Sequence, residues 1–121
     1  MARILVVDDA PELGELIQTV LKDEGHAVEA VLGGQAALER LGQAVYDLVV
    51  CDLAMPDIDG ATVARAVEHL APPRPALLLM TGYADGPTYA DFLQTTPAIV
   101  LNKPVGIDAL REWVRRLLEN R

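Results

Sequence analysis

The chain lacks the features that mark secreted and membrane proteins. Its only cysteine, Cys51, lies inside an apolar run, so an internal disulfide framework is excluded and a small buried side chain is expected. The longest apolar runs, such as residues 75–80, are far shorter than the roughly 20 residues that cross a bilayer. The N-terminus carries no basic segment followed by an apolar stretch and a cleavage site. We therefore expect a cytoplasmic location and no contact with a membrane.

Positive charge is also scarce. Lys and Arg number 10 against 18 Asp and Glu, which gives a formal net charge of -8 at pH 7. A nucleic-acid surface needs clustered Lys and Arg. The only dense basic group, Arg111, Arg115 and Arg116, is interspersed with Glu112 and Glu119, a mixture typical of a solvated helix face. We expect no direct contact with nucleic acid.

Short apolar segments alternate with helical patterns along the chain. The segments predict five strands, at residues 3–7, 26–32, 48–51, 77–80 and 98–101. Between and after them apolar residues recur at intervals of three and four, as in Leu13, Leu16, Ile17, Val20 and Leu21 of the first helix and Ile107, Leu110, Val114 and Leu117 of the last. Buried strands joined by helical crossovers form parallel sheets with helices on both faces. We expect one doubly wound α/β domain, residues 1–121.

Polar side chains stand at the ends of four of these strands. Asp8 and Asp9 follow the first strand, Asp52 the third, Thr81 the fourth and Lys103 the fifth. All belong to the carboxyl edge of the sheet, where ligands bind in open α/β folds, so they should converge in one crevice. Each alone would be an ordinary cap or surface group; Asp9, for example, could favour the start of the following helix. Their occurrence together predicts a functional site.

The residue types at this edge favour phosphoryl-transfer chemistry. Three carboxylates close together repel one another, so a cation is expected among them, and a hard divalent ion such as Mg²⁺ takes oxygen ligands. Lys103 adds a compact positive charge and Thr81 a hydroxyl donor. Asp52 could be a metal ligand, a nucleophile that forms an aspartyl phosphate, or a capping residue. Positioning and charge neutralisation are what phosphoryl transfer requires of a protein.

Four motifs resemble those of the receiver domain of bacterial response regulators, the phosphoacceptors of two-component signalling. They are Val6-Val7-Asp8-Asp9, Asp52-Leu53-Ala54-Met55-Pro56 with Asp59-Gly60, Thr81-Gly82 and Lys103-Pro104, in the order and spacing of that family. The resemblance covers essentially the whole chain. It implies a flavodoxin-like (βα)5 fold with five parallel strands in the order 2-1-3-4-5. It also implies a cis peptide bond between Lys103 and Pro104.

The resemblance implies roles for the acidic residues. Asp52 matches the aspartate that takes a phosphoryl group from a histidine kinase or phosphotransfer protein. Asp8, Asp9, Asp52 and the backbone carbonyl of Ala54 match the Mg²⁺ ligands. Such a domain is a signalling switch that catalyses only its own phosphoryl transfer and dephosphorylation. The face of its fourth and fifth helices is where the family binds partners or pairs with itself.

The remaining motif residues concern the switch. Thr81 and Lys103 match the residues that bond the phosphoryl oxygens and report phosphorylation. Family members often carry an aromatic ring three residues before the lysine, where this chain has Val100. We therefore expect the switch to run through the loop after Thr81 and a weak fourth helix around residues 89–93, and we expect this region to be the least ordered. Tyr83, two residues after the threonine, is expected to shield the phosphoryl group.

Two rival functions use the same residues. Hydrolases with an aspartate nucleophile, such as phosphatases and dehalogenases, place a second acid two residues later, but this chain has Ala54 there. A degenerate receiver that serves only as a binding module has no need of the acidic pair, Asp52, Thr81 and Lys103, all of which are present. The residues favour a phosphoacceptor over both rivals.

Overall fold

The computed structural model describes residues 1–82 and 85–119, in which strands and helices alternate. The strands are β1 Arg3–Val7, β2 Ala27–Val31, β3 Leu48–Asp52, β4 Ala76–Thr81 and β5 Ile99–Asn102. The helices are α1 Pro11–Asp23, α2 Gly34–Leu41, α3 Gly60–Glu68, α4 Gly86–Thr95 and α5 Ile107–Glu119. The predicted alternation is confirmed, and every strand boundary lies within one residue of its predicted position.

The strands form one parallel sheet in the order β2-β1-β3-β4-β5. This order confirms the doubly wound, flavodoxin-like topology. β3 lies at the centre and is buried along its whole length, whereas β2 is an edge strand with half-exposed and exposed positions. The register pairs Asp52 with Met80 and Thr81 with Asn102, so β3, β4 and β5 end side by side.

The core has two layers because side chains of a strand alternate between its faces. On one face, Ile4 and Val6 of β1 pack with α1 and α5. On the other face, Leu5 and Val7 pack with α2 and α3, to which α4 adds only the partly buried Phe92. Each fully buried Leu, Ile or Val contributes about 1.5–3 kcal/mol relative to exposure. The helices therefore lie on both faces, as predicted.

Two apolar residues of the three-and-four repeats are exposed. Leu16 is 47% exposed and Ile107 41% exposed. The buried face of α1 is set by Ile17, Val20 and Leu21, and Leu16 lies to the side of it because each residue advances about 100° around the helix. Ile107 is the first residue of α5, where no preceding turn covers it. The buried face of each helix is therefore narrower than its apolar repeat.

The fourth helix differs from the others. α4 has no buried residue among those described, and its backbone leaves helical geometry at Tyr89 (φ -111°, ψ 19°). α4 extends from residue 86 to residue 95, beyond the predicted 89–93. The peptide bond between Lys103 and Pro104 is cis, as the resemblance implied, and so is that between Pro72 and Pro73. Among the described residues, no helix is long and apolar enough to cross a membrane.

Candidate functional site

Three carboxylates lie together at the carboxyl edge of the sheet. Asp8, Asp9 and Asp52 each offer an oxygen, and these oxygens lie within 4.8 Å of one another. Asp8 and Asp52 are buried, with 1% and 3% exposure, whereas Asp9 is exposed at the rim. Such a group can hold a cation that is reached from solvent past Asp9.

The end of β1 fixes the orientation of Asp8. The Asp8 amide donates to the Val31 carbonyl oxygen at 3.2 Å, which continues the β1–β2 pairing by one residue. Asp8 Oδ1 accepts a hydrogen bond from the Ala10 amide at 2.9 Å. α1 then begins at Pro11 with Ala10 as its N-cap, and no side chain caps this helix in the described chain. Asp9 therefore does not serve as the N-cap of α1.

The two buried carboxylate oxygens at this edge differ in their partners. Asp8 Oδ2 has no hydrogen-bond donor among the described residues. Asp52 Oδ1 lies 2.9 Å from Lys103 Nζ and forms an ion pair with it. A buried oxygen without a donor is costly unless a cation or water satisfies it. The carboxylate oxygens of this cluster therefore fit a hard divalent cation.

Burial and charge oppose each other at these groups. Burial is the main cause that raises the pKa of Asp52 and of Asp8, while Lys103 acts to lower both. Burial by itself would lower the pKa of Lys103, but the neighbouring Asp52, Asp8 and Asp9 outweigh it and raise that pKa. Lys103 thus remains a cation beside the acidic cluster.

The loop between β3 and α3 is held at several points. Leu53 N donates to the Met80 carbonyl oxygen at 2.8 Å, and Gly60 N donates to the Leu53 carbonyl oxygen at 2.7 Å.

Asp57 joins the same loop to the start of α2. Its carboxylate accepts hydrogen bonds from Gln35 N, at 3.0 Å, and from Gly34 N. These bonds lower the pKa of Asp57, that from Gln35 contributing most. Ala54 is part-buried in this fixed loop, two residues after Asp52.

Gly60 allows the loop to close on the strand. A Cβ atom at this position would lie 2.4 Å from the Asp52 carbonyl oxygen and 2.8 Å from Leu53 Cα. These are backbone atoms of the strand end that carries Asp52, so they cannot move away without displacing it. Asp59 precedes Gly60 as the N-cap of α3, and its Oδ1 accepts from Thr62 N at 2.8 Å.

Thr81 is buried at the end of β4, and its hydroxyl already has partners. Thr81 Oγ1 donates towards Asp85 Oδ2 at 3.2 Å, with the Gly82 carbonyl oxygen an alternative acceptor at 3.3 Å. Asp85 Oδ2 also accepts from Gly82 N at 2.7 Å. Lys103 N donates to the Thr81 carbonyl oxygen at 2.8 Å, which joins the ends of β4 and β5.

The model of the response regulator receiver domain family matches residues 4–115. The chain belongs to this family. It is a receiver domain of two-component response regulators, and so a signalling switch; the rival hydrolase is not favoured.

This domain is identical at about one residue in three to two transcriptional regulatory proteins. It is 34% identical over 115 residues to the transcriptional regulatory protein ZraR of Escherichia coli K12, covering 95% of this chain but 26% of that protein. It is 36% identical over 115 residues to the transcriptional regulatory protein CutR of Streptomyces coelicolor, covering 95% and 52%. The chain thus spans about a quarter to a half of these curated relatives.

Among solved structures, the response regulator TrrA of Thermotoga maritima in complex with Mg²⁺-BeF is similar, with a TM-score of 0.83 and 34% identity. The match covers 98% of this chain and 100% of TrrA. This receiver domain therefore has the fold of the TrrA chain over nearly the whole length of both.

A hydrogen bond between two side chains also joins α4 to α3 in the receiver domain. Tyr89 Oη donates to Asp59 Oδ2 at 3.2 Å and links α4 to the cap of α3. Burial by itself would raise the pKa of Asp59, but the hydrogen bonds from Thr62 and Tyr89 outweigh it and lower that pKa. Tyr89 was assigned no role from the sequence, because no local pattern shows that its hydroxyl reaches another helix.

The residue three before the lysine is an ordinary packing residue. Val100 is partly buried against the core layer that also contacts Phe92. A shallow pocket of about 270 Å³ lies beside the switch residues and is lined by Thr81, Gly82, Gly86, Leu93, Asn102 and Lys103. Two larger pockets, of about 480 and 500 Å³, contain none of the site residues. Tyr83, expected to shield the phosphoryl group, lies outside the described residues.

Proposed function

We propose that this receiver domain, residues 1–121, accepts a phosphoryl group on Asp52 from the phosphohistidine of a histidine kinase or phosphotransfer protein. One observation carries the proposal: Asp52 lies among two further carboxylates with Lys103 Nζ 2.9 Å from its Oδ1. An oxygen in this position lies beside a cation that can neutralise negative charge on an incoming phosphoryl group. It is therefore ready to act as a nucleophile.

In the reaction, an Asp52 carboxylate oxygen attacks the phosphorus of the donor. The new oxygen–phosphorus bond forms as the phosphorus–nitrogen bond breaks, and its electron pair leaves with the imidazole. Lys103 balances negative charge on the transferred group, and the Thr81 hydroxyl donates to one of its oxygens. Hydrolysis of the aspartyl phosphate by water reverses the signal, and these two reactions are the only ones that the domain catalyses.

We propose that Asp8, Asp9, Asp52 and the backbone carbonyl of Ala54 hold Mg²⁺. The buried Asp8 oxygen without a donor among the described residues and the all-oxygen ligand set support this assignment. The solved complex of TrrA with Mg²⁺-BeF supports it as well. When bound, the ion neutralises charge on the acidic cluster and on the phosphoryl oxygens.

The proposed switch begins at Thr81 and Lys103, because both would contact the phosphoryl group. Thr81 is tied to the start of α4 through Asp85, so a change at its hydroxyl reaches that helix directly. We propose that the face of α4 and α5 then binds a partner or a second copy, and that the domain works in the cytoplasm. Nucleic acid is not its direct ligand, which agrees with the net charge of -8.

Uptake of phosphate from acetyl phosphate tests the function. The protein is incubated with acetyl phosphate with and without Mg²⁺, and its intact mass is measured. We expect one added phosphoryl group, only with Mg²⁺, and none on Asp52→Asn. Asp23→Asn is the matched control, since Asp23 is exposed at the far end of α1 and should leave uptake unchanged.

Two results would reject the proposal. One is an unmodified wild-type protein in the presence of Mg²⁺, provided that circular dichroism shows it folded. The other is continued turnover of a generic phosphate ester such as p-nitrophenyl phosphate, which a hydrolase would support and a switch would not.

A further inference from the structure

Asp85 occupies the N-cap position of α4 without capping it. An N-cap aspartate normally accepts from the amide of the second or third helical residue. Asp85 makes no such bond in the described structure, and Pro87, at the second helical position, has no N–H to offer. The carboxylate instead reaches back to β4, where Oδ2 accepts from Gly82 N at 2.7 Å and from Thr81 Oγ1 at 3.2 Å. Helix capping therefore does not account for its position.

The hydroxyl of Thr81 cannot serve two acceptors at once. A threonine hydroxyl has one hydrogen to donate. In the structure that hydrogen is directed to Asp85 Oδ2 or to the Gly82 carbonyl oxygen. The proposed function requires the same hydrogen for a phosphoryl oxygen on Asp52. Hydrogen bonds to a carboxylate are stronger than those to a neutral carbonyl, so Asp85 is the main competitor.

We propose that Asp85 is a positioning residue that holds the Thr81 hydroxyl away from the phosphoryl group and so weakens phosphoryl binding at Asp52. The inference rests on the proposed function, because it needs Thr81 to contact the phosphoryl group. Asp85 acts through Thr81 and not on the reacting atoms. When Thr81 turns to the phosphoryl group, the Asp85 carboxylate keeps its bond from Gly82 N but loses the one from Thr81, and the start of α4 loses one of its attachments to β4.

A double-mutant cycle with beryllofluoride isolates this effect. Beryllofluoride, formed from beryllium chloride and sodium fluoride, mimics the phosphoryl group, and its affinity is measured by calorimetry at saturating Mg²⁺. We expect Asp85→Ala to bind about threefold to tenfold more tightly than the wild type, because one competing hydrogen bond has been removed. In a Thr81→Val background, which lacks the hydroxyl, the same substitution should change nothing.

Two further variants separate the hydrogen bond from the charge. Asp85→Asn keeps a carbonyl oxygen that accepts from Thr81, but more weakly than a carboxylate, so its affinity should lie between those of the wild type and Asp85→Ala. Asp91→Ala removes the same charge from an exposed position of the same helix, where the side chain has no partner among the described residues, and should leave the affinity unchanged. Thermal unfolding verifies that each variant is folded, and initial rates of uptake from acetyl phosphate provide a second measure of the same ratios.

The outcomes are distinct. Equal affinities of the wild type and Asp85→Ala overturn the inference. So does an equal gain in the Thr81→Val background, which would assign the effect to charge or to loop structure. Wild-type protein that binds no beryllofluoride with Mg²⁺ rejects the proposed function itself, a result that differs from binding without an Asp85 effect.

Discussion

Lys103 reaches Asp52 across an intervening strand. Lys103 follows β5 and Asp52 ends β3, yet Nζ and Oδ1 lie 2.9 Å apart because the side chain passes over the end of β4. The Lys103 amide meanwhile donates to the Thr81 carbonyl oxygen at 2.8 Å. One residue therefore contacts the proposed acceptor through its side chain and the backbone of the proposed switch residue, Thr81, through its amide.

The acidic cluster should cost the metal-free domain stability. Asp8→Asn removes one of three close negative charges and can still accept from Ala10 N. We expect it to raise the free energy of unfolding without Mg²⁺ by about 1 kcal/mol, since repulsion is relieved. Added Mg²⁺ should stabilise the wild type and much less the variant. Thermal unfolding with and without Mg²⁺ measures both effects, with Asp23→Asn as control; a destabilised Asp8→Asn protein would contradict the account.

The close approach at Gly60 predicts a large effect from one methyl group. Gly60→Ala places Cβ against backbone atoms of Asp52 and Leu53 and should lower the free energy of unfolding by about 1–3 kcal/mol. Gly86→Ala is the matched control: it is also the first residue of a helix, but a Cβ there meets no atom of the described residues within 4 Å. Chemical denaturation compares the two. Equal free energies of unfolding for both variants would contradict this prediction, since they would show that the loop accommodates the methyl group without loss of stability.

The sequence predicted the topology and the grouping of strand-end residues for a physical reason. Strand and helix periodicities are local, and the carboxyl ends of parallel strands must share one edge. The side-chain bonds of Asp85 and Tyr89 could not be predicted, because an aspartate before Gly-Pro reads equally as a cap and a tyrosine in a weak helix has no visible partner. The exposure of Leu16 could not be predicted either, because the apolar repeat does not show which residues at the edge of a helix's apolar face are buried.

α4 should exchange its amide hydrogens faster than the other helices. In the described chain it alone contributes no buried residue, so few apolar contacts oppose its local opening. Hydrogen exchange followed by mass spectrometry or NMR compares its amides with those of α5, which serves as an internal reference. Protection in α4 equal to that in α5 would contradict the expectation that this region is the least ordered.

An ion-pair cluster away from the site predicts a pH dependence of stability. Hydrogen bonds from Arg40, together with those from Tyr46 and Arg3, lower the pKa of Glu29. A carboxyl group with a lowered pKa stabilises the fold at neutral pH and loses that contribution as pH falls through its folded-state pKa. Glu29→Gln should therefore be less stable than the wild type at pH 7, with the difference shrinking towards about pH 3.

Thermal unfolding between these pH values measures the Glu29 effect. Glu68→Gln serves as control, since Glu68 is exposed at the end of α3 and has no partner among the described residues. A wild-type to Glu29→Gln difference that is constant with pH, or that grows on acidification, would show that the cluster does not act through the charge of Glu29.

The most direct test of the central claim is to find which residue carries the phosphoryl group. After incubation with acetyl phosphate and Mg²⁺, sodium borohydride converts an aspartyl phosphate to homoserine, and peptide mass spectrometry locates it. The account predicts homoserine at position 52 alone, and none when Mg²⁺ is omitted. Homoserine at position 8 or 9, or none at position 52 in folded protein, would contradict it.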